Sequence, residues 1–208
     1  MDATPIRSAP VKTLLSVRRA RIGDADAISH VLTSSLGDKL RPAFGAGTER
    51  VLSALARHDL TRPGERHFVA ELAGGVVGAV HLALAQAPDP GFAERVAAEV
   101  GWPRAVRAVV VLSTIAHSRL APDEAYVEEL GVLPHARRRG AAAALLAACE
   151  EEARRAGRAR MTLWVTSNNA AAISLYEKQG FHARRRRHSL GARIFLRVPG
   201  TVFMEKAL

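Results

Sequence analysis

The residues best suited to chemistry lie between positions 124 and 181. An apolar strand over 126–133 stops at Pro134. Three arginines follow, Arg137, Arg138 and Arg139, and then Gly140 opens a run of strong helix formers that begins with Ala141 and Ala142. Strand, basic turn and helix together can hold phosphate. The first amides of a helix have no partner within it, and the dipole favours negative charge at that end. Gly140 has no Cβ to keep a ligand off the backbone, and the small alanines leave the first turn open. The same strand carries two adjacent carboxylates, Glu128 and Glu129. Alternation along a strand puts them on opposite faces, so one can face a pocket while the other faces solvent or another layer. A carboxylate within reach of a proton can act as a general base. No G-x-S-x-G turn and no Cys/His cluster with metal-ligand spacing occurs, so neither a serine nucleophile nor a metal is expected. The single cysteine, Cys149, falls inside a helical pattern and reads as core.

The segment Arg137-Arg138-Arg139-Gly140-Ala141-Ala142 resembles the R/Q-x-x-G-x-G/A signature of the GNAT superfamily of N-acetyltransferases, with Arg137, Gly140 and Ala142 at the fixed positions. Downstream, NAAAISLYEKQGF resembles the family's N-x-x-A-x-x-L-Y-x-x-x-G-F, carried by Asn169, Ala172, Leu175, Tyr176, Gly180 and Phe181. The resemblance implies an α/β fold with a central, mostly antiparallel sheet of about seven strands, its central strands splayed and its faces covered by helices. It implies acetyl-CoA as co-substrate, with the pyrophosphate on Arg137, Arg138, Arg139, Gly140, Ala141 and Ala142. The pantetheine arm would enter between the splayed strands and pair with the backbone of Leu130, Gly131, Val132 and Leu133. Asn169 would cap its helix or meet the pantetheine, and Tyr176 would stand beside the cofactor as the acid. Glu128 is the first choice of base, because polyamine-type relatives place one at the corresponding strand position; a local bulge would hand the role to Glu129. Two departures stand out: Arg138 occupies a position that is usually glycine, and Ala142 replaces the last motif glycine.

A thioester is already activated, so direct transfer to an amine requires no covalent enzyme intermediate. It requires a base for the amine, a donor for the carbonyl oxygen and an acid for the departing thiolate. An alkylammonium has a reference pKa near 10.4, so only about one molecule in a thousand is free amine near pH 7. A positioned carboxylate contributes about 10²–10⁴-fold by taking that proton. A phenol can protonate or hydrogen-bond the thiolate, and a strand amide near Val132 can polarise the carbonyl.

These groups need a scaffold. The 208 residues fit a tail over 1–15 and a single domain over 16–208 with a helical insertion at 87–123. Ahead of the insertion the pattern predicts a strand over 16–22, a helix over 25–36 capped by Asp24 and closed by Gly37, and a connecting loop over 38–47. That loop is a candidate wall of the acceptor pocket, with Arg41 and Phe44 as its distinctive side chains. A second helix starts at Thr48, and a hairpin at Gly74-Gly75 joins strands over 67–72 and 76–84, in which His81 reads as structural. Within the insertion, one helix over 92–100 stops at Gly101. Another, with Pro103 in its first turn, presents Val106, Val109, Val110 and Ile115 as its apolar face. The insertion could be a lid, a homodimer surface or extra core. After the central strand come a strand over 161–166, a helix over 170–179 closed by Gly180, and a last hairpin over 182–188 and 201–206. Its loop, 189–200, borders the acceptor pocket in the family. The arginines of 183–187 read as an exposed charged strand or as a patch for an acidic partner.

The net charge is +10. It suits a polyphosphate cofactor, an acidic substrate or RNA, but lysine occurs only at positions 12, 39, 178 and 206, so arginine-rich composition explains part of it. No secretory leader and no span of about 18 apolar residues is present, so a cytoplasmic location away from membranes is expected. The expected reaction is acetyl transfer to a primary amine of a small molecule or protein. A polycation is disfavoured unless the pocket is locally acidic. The alternative is a basic RNA-associated or CoA-binding protein of the same fold without transfer activity.

Overall fold

The computed structural model describes residues 14–85, 89–113, 120–188 and 199–208. Its seven strands form one sheet in the order β1-β2-β3-β4-β5-β7-β6. They are β1 (Ser16–Arg19), β2 (Glu65–Leu72), β3 (Gly75–Ala83), β4 (Glu124–Val132), β5 (Arg160–Thr166), β6 (His182–Arg187) and β7 (Thr201–Ala207). All neighbours are antiparallel except β4 and β5. The helices are α1 (Ala25–Phe44), α2 (Thr48–Asp59), α3 (Phe92–Val100), α4 (Trp102–Ser113), α5 (Ala141–Arg155) and α6 (Ala170–Lys178).

Two cores sandwich the sheet. On one face Val127, Met161 and Leu163 pack with Leu145, Leu146 and Cys149 of α5 and with Tyr176 of α6. On the other, Val69 and Ala79 pack with α1, α2, α3 and α4. Gly78 and Gly131 set the spacing at the centre. A Cβ on Gly131 would lie 3.1 Å from Ser35 and 3.3 Å from Val31, so glycine lets α1 lie close against β4.

Helix α1 runs through Gly37 and Pro42 to Phe44, so the expected loop over 38–47 is mostly helix. An interior glycine costs about 1 kcal/mol and an interior proline about 3. Burial of Phe44 and Ala43, with partial burial of Leu40, offsets this at about 1.5–3 kcal/mol per large apolar side chain. Phe44 thus faces inward, whereas Arg41 is exposed. Helix α4 also corrects the sequence reading. It buries Ala105, Ala108 and Val111 and leaves Val106, Val109 and Val110 exposed. Both stripes are apolar, so periodicity could not choose between them, and the small alanines let the helix approach its neighbours.

Strand β6 is the charged edge of the sheet. Arg184 lies 3.4 Å from Glu205, and Arg185 sits 5.0 Å over the Phe203 ring. Arginines along an edge discourage further strand pairing. No described helix is long and apolar enough to cross a membrane. Residues 1–13 of the predicted 1–15 tail, Ile115 and most of the 189–200 loop lie outside the described residues.

Candidate active site

Strands β4 and β5 pair only from Glu124 with Arg160 to Val127 with Leu163. Beyond that point β4 continues to Val132 and β5 to Thr166 without pairing to each other. The cause is visible on the other side of β4. His81 pairs with Glu129 while Leu82 pairs with Val127, so Glu128 is the extra residue of a β-bulge. A bulge bends the strand and increases its twist, which swings β4 away from β5.

The gap has its own hydrogen-bonding edge. Leu133 N–H donates to Val77 O, so Leu133, like Gly131, turns its backbone towards β3. Leu130 and Val132 therefore turn theirs towards the gap. The Val132 carbonyl accepts from Ser35 Oγ at 3.1 Å and from Arg137 Nε at 3.3 Å. A cleft of about 560 Å³ follows this edge. Leu130, Gly131, Val132, Arg137 and Arg138 line it, as do Gly140, Ala141, Ala142 and Asn169. Three residues predicted to contact the cofactor are not among its walls. Leu133 and Tyr176 are buried in the two cores, and Arg139 is exposed. Ser35 and Leu36 of α1 do line it, although no motif in the sequence marks them.

At the head of the cleft, Gly140 is the N-cap of α5 at φ +85°, with no side chain capping the helix. The first α5 amides remain open to a ligand, and a pyrophosphate suits both the open amides and Arg137 and Arg138 beside them. Arg138 has φ +61°, a region that costs an L-residue about 1–2 kcal/mol. This strain accounts for glycine being usual there. Asn169 Oδ1 accepts from Ala172 N at 3.2 Å and caps α6, so the capping role expected of it is present. The gap between the strands, the helix terminus and the two arginines fit coenzyme A.

A second cavity, of about 280 Å³, opens on the α1 and α2 side of β4. Adjacent residues of this strand line the two, Leu130 the one and Glu129 the other. The bulge overturns the expected opposition of the two glutamates, since Glu128 and Glu129 both line this cavity. Glu128 Oε2 lies 3.1 Å from His81 Nδ1. Burial pushes Glu129 up to about 7; the positive His81 opposes that rise, and Glu128 and Asp59 add to it.

His81 ties two of these carboxylates together. Its Nε2 lies 2.7 Å from Glu65 Oε2, so the ring bridges two carboxylates. Burial alone would lower its pKa, but the ionic hydrogen bonds to Glu128 and Glu65 raise it well above the usual histidine value. His67 stacks on it. Potential ligand atoms of Asp59, His67 and His81 lie within 4.8 Å of one another. Both His81 nitrogens already serve carboxylates. These residues come from α2, β2 and β3, far apart in sequence, and no short motif could have gathered them. Lys39 was also missed. It reaches from α1 to Thr166 Oγ1 at 3.2 Å, and burial lowers its pKa.

Tyr176 packs edge-on against Phe181 with centroids 5.8 Å apart, and burial pushes its phenol up to about 12. Cys149 is fully buried, and burial also raises its thiol, so it has no nucleophilic character.

The profile of the acetyltransferase (GNAT) family matches residues 33–181. No individually curated protein matches the chain. Among solved structures, a PaiA N-acetyltransferase from Thermoplasma acidophilum, in complex with coenzyme A, is 14% identical with a TM-score of 0.62, covering 94% of this chain and 99% of that one. The ribosomal-protein-alanine N-acetyltransferase from Brucella melitensis is 23% identical with a TM-score of 0.61, covering 93% and 99%. The ribosomal-protein-S18-alanine N-acetyltransferase from Escherichia coli is 18% identical with a TM-score of 0.58, covering 93% and 94%. At these identities the likeness shows the fold alone.

Proposed function

The chain belongs to the GNAT acetyltransferase family, and from that premise we propose that it transfers an acetyl group from acetyl-CoA directly to a primary amine. The observation that carries this is the parting of β4 from β5 after Val127 and Leu163. A helix terminus suited to phosphate borders the gap, and a carboxylate-lined cavity lies along the same strand. Acetyl-CoA, bound there, supplies an acetyl group already activated as a thioester. The α5 amides behind Gly140, with Arg137 and Arg138, hold the pyrophosphate. The gap-facing groups of Leu130 and Val132 align the pantetheine arm, replacing the Ser35 and Arg137 contacts now made to the Val132 carbonyl.

Glu129 is the preferred base. Its pKa near 7 matches the working range of a general base. Glu128, tied to His81, holds the site's charge in place. The bulge lets both glutamates line the cavity, and the raised pKa of Glu129 is what favours it over Glu128, the first choice made from the sequence. An amide of the gap-facing edge stabilises the carbonyl oxygen as charge develops on it. The Tyr176 hydroxyl is the donor to the departing thiolate, which requires the thioester sulfur to reach it from the cleft. At a pKa of about 12 it serves as a hydrogen-bond donor that gives up its proton only as the thiolate forms.

The test is thiol release from acetyl-CoA across a panel of amines, with the acetylated product identified by mass. Amine-dependent release supports the reading; an increase of one acetyl mass on no amine, with no thiol released, would sink it.

A further inference from the structure

We propose that Lys39 is a site of self-acetylation, its amine taking the acetyl group from acetyl-CoA lodged between β4 and β5. This inference rests on the acetyl-transfer reading above and adds to it an acceptor within the chain itself.

The placement of α1 carries it. Ser35 and Lys39 stand four residues apart and so share one face of the helix. Ser35 Oγ donates to the Val132 carbonyl at the end of β4, and Lys39 Nζ donates to Thr166 Oγ1 at the end of β5. These two strand ends are parted, since β4 and β5 pair only as far as Val127 and Leu163. One face of α1 therefore spans the open end of the gap, and Lys39 reaches to its β5 side. Ser35 and Leu36 line the cofactor cleft, and Leu40 lines the second cavity. Lys39 thus stands in the turn of α1 between the two. A thioester arm entering the gap at its open end carries its acetyl group past this amine.

The surroundings favour the reaction. The hydrogen bond from Lys39 is to a neutral hydroxyl, which steadies an ammonium less than a carboxylate would. Lys39 is partly buried, and burial lowers its pKa while Asp38 opposes the fall. An ordinary lysine is free amine in only about one molecule in a thousand near pH 7, and a lower pKa raises that share. The product is also easier to bury, because a neutral amide lacks the desolvation cost of an ammonium.

The chain carries its own comparison. Lysine occurs only at positions 12, 39, 178 and 206. Lys206 is paired with Glu150, on the part of β7 that faces Met161, where β4 and β5 are still joined. Lys178 is exposed in the last turn of α6, at the far end of that helix from Asn169. Lys12 lies outside the described residues. Position relative to the gap separates Lys39 from Lys178 and Lys206.

The step balances on the amine and the thioester alone. The Lys39 ammonium first gives one proton to solvent. Its nitrogen then forms the bond to the acetyl carbon, the C–S bond breaks, and the surplus proton on nitrogen passes to the thiolate. The products are an acetamide on Lys39, the free thiol of coenzyme A and one proton.

The experiment incubates the full chain with acetyl-CoA near neutral pH, with no added amine, and maps the acetyl groups by mass spectrometry of its peptides. Lys39 is expected to be acetylated at least about tenfold faster than Lys178 or Lys206, because a bound thioester acts at a high effective concentration. Excess coenzyme A should suppress the labelling of Lys39. Equal labelling of Lys39, Lys178 and Lys206, or labelling of Lys39 that excess coenzyme A leaves unchanged, marks unassisted chemical acetylation and overturns the proposal. No label on Lys39 while added amines still release thiol also overturns it and leaves acetyl transfer standing. No label, with no binding of coenzyme A in a parallel titration, overturns the transfer reading itself.

Discussion

His67 and His81 stack with ring centroids 4.0 Å apart and planes 10° from parallel, yet their protonation is driven in opposite directions. Burial, and then the neighbouring positive ring, push His67 down to about 2. His81 is held positive by Glu128 and Glu65 against the cost of its burial. One ring is a fixed cation within the carboxylate lattice, and the other is a neutral spacer whose Nε2 has no partner among the described residues. Replacing His81 with Gln should therefore cost more than packing. It removes the cation between two carboxylates, and breaking such a buried pair costs about 3–5 kcal/mol. Urea unfolding near neutral pH measures it, and a loss below about 1 kcal/mol would contradict the lattice.

Glu129 should govern the pH dependence of activity. With its pKa near 7, kcat/KM is expected to rise through neutral pH and level off above it. Glu129→Gln should lose about 10²–10⁴-fold and abolish that limb. A larger loss in Glu128→Gln, with the limb intact in Glu129→Gln, would return the base to Glu128.

The same groups set a pattern in stability. Glu129 has a folded pKa of about 7 against 4.5 unfolded, so between these values the folded state holds the extra proton and stability falls as pH rises. His67 has a folded value of about 2 against 6.5 unfolded. In that interval the unfolded state holds the extra proton, and stability rises with pH. From pH 4.5 to 6.5 the two slopes oppose each other, each up to about 1.4 kcal/mol per pH unit. Glu129→Gln should unmask a rising profile in this interval. Denaturant titrations across the range check this, and a falling profile in that variant would count against it.

Tyr176→Phe should slow turnover by about tenfold or more while leaving coenzyme A affinity nearly unchanged, because the phenol acts on the leaving thiolate. Its ring, packed on Phe181, is retained in the variant. Steady-state kinetics beside a binding titration separates the two effects, and unaltered kcat would remove Tyr176 as the acid.

The backbone of the site was readable because its motifs are local. Gly140 at positive φ, the uncapped α5 terminus and the Asn169 cap each follow from residues within one turn. The carboxylate-lined cavity was not readable in this way. Its lattice joins Asp59, Glu65, His81 and Glu128 from four elements, and the bulge that turns Glu128 and Glu129 to one cavity is a register slip between β3 and β4. Alternation within one strand carries no trace of such a slip, which is why opposite faces were expected for the two glutamates. Helix α1 shows a different competition, with tertiary burial of Phe44 carrying it past the glycine and proline that locally signal an end.

The central claim is that coenzyme A seats on the α5 terminus and lies in the gap between β4 and β5. Calorimetric titration of coenzyme A into the protein and into Gly140→Glu tests it most directly. Gly140 is at φ +85°, and the new carboxylate would sit where the pyrophosphate belongs. Saturable one-to-one binding to the unaltered protein, lost or weakened at least about tenfold in a folded Gly140→Glu, is the predicted result. No binding to the unaltered protein, or equal binding to both, would contradict it.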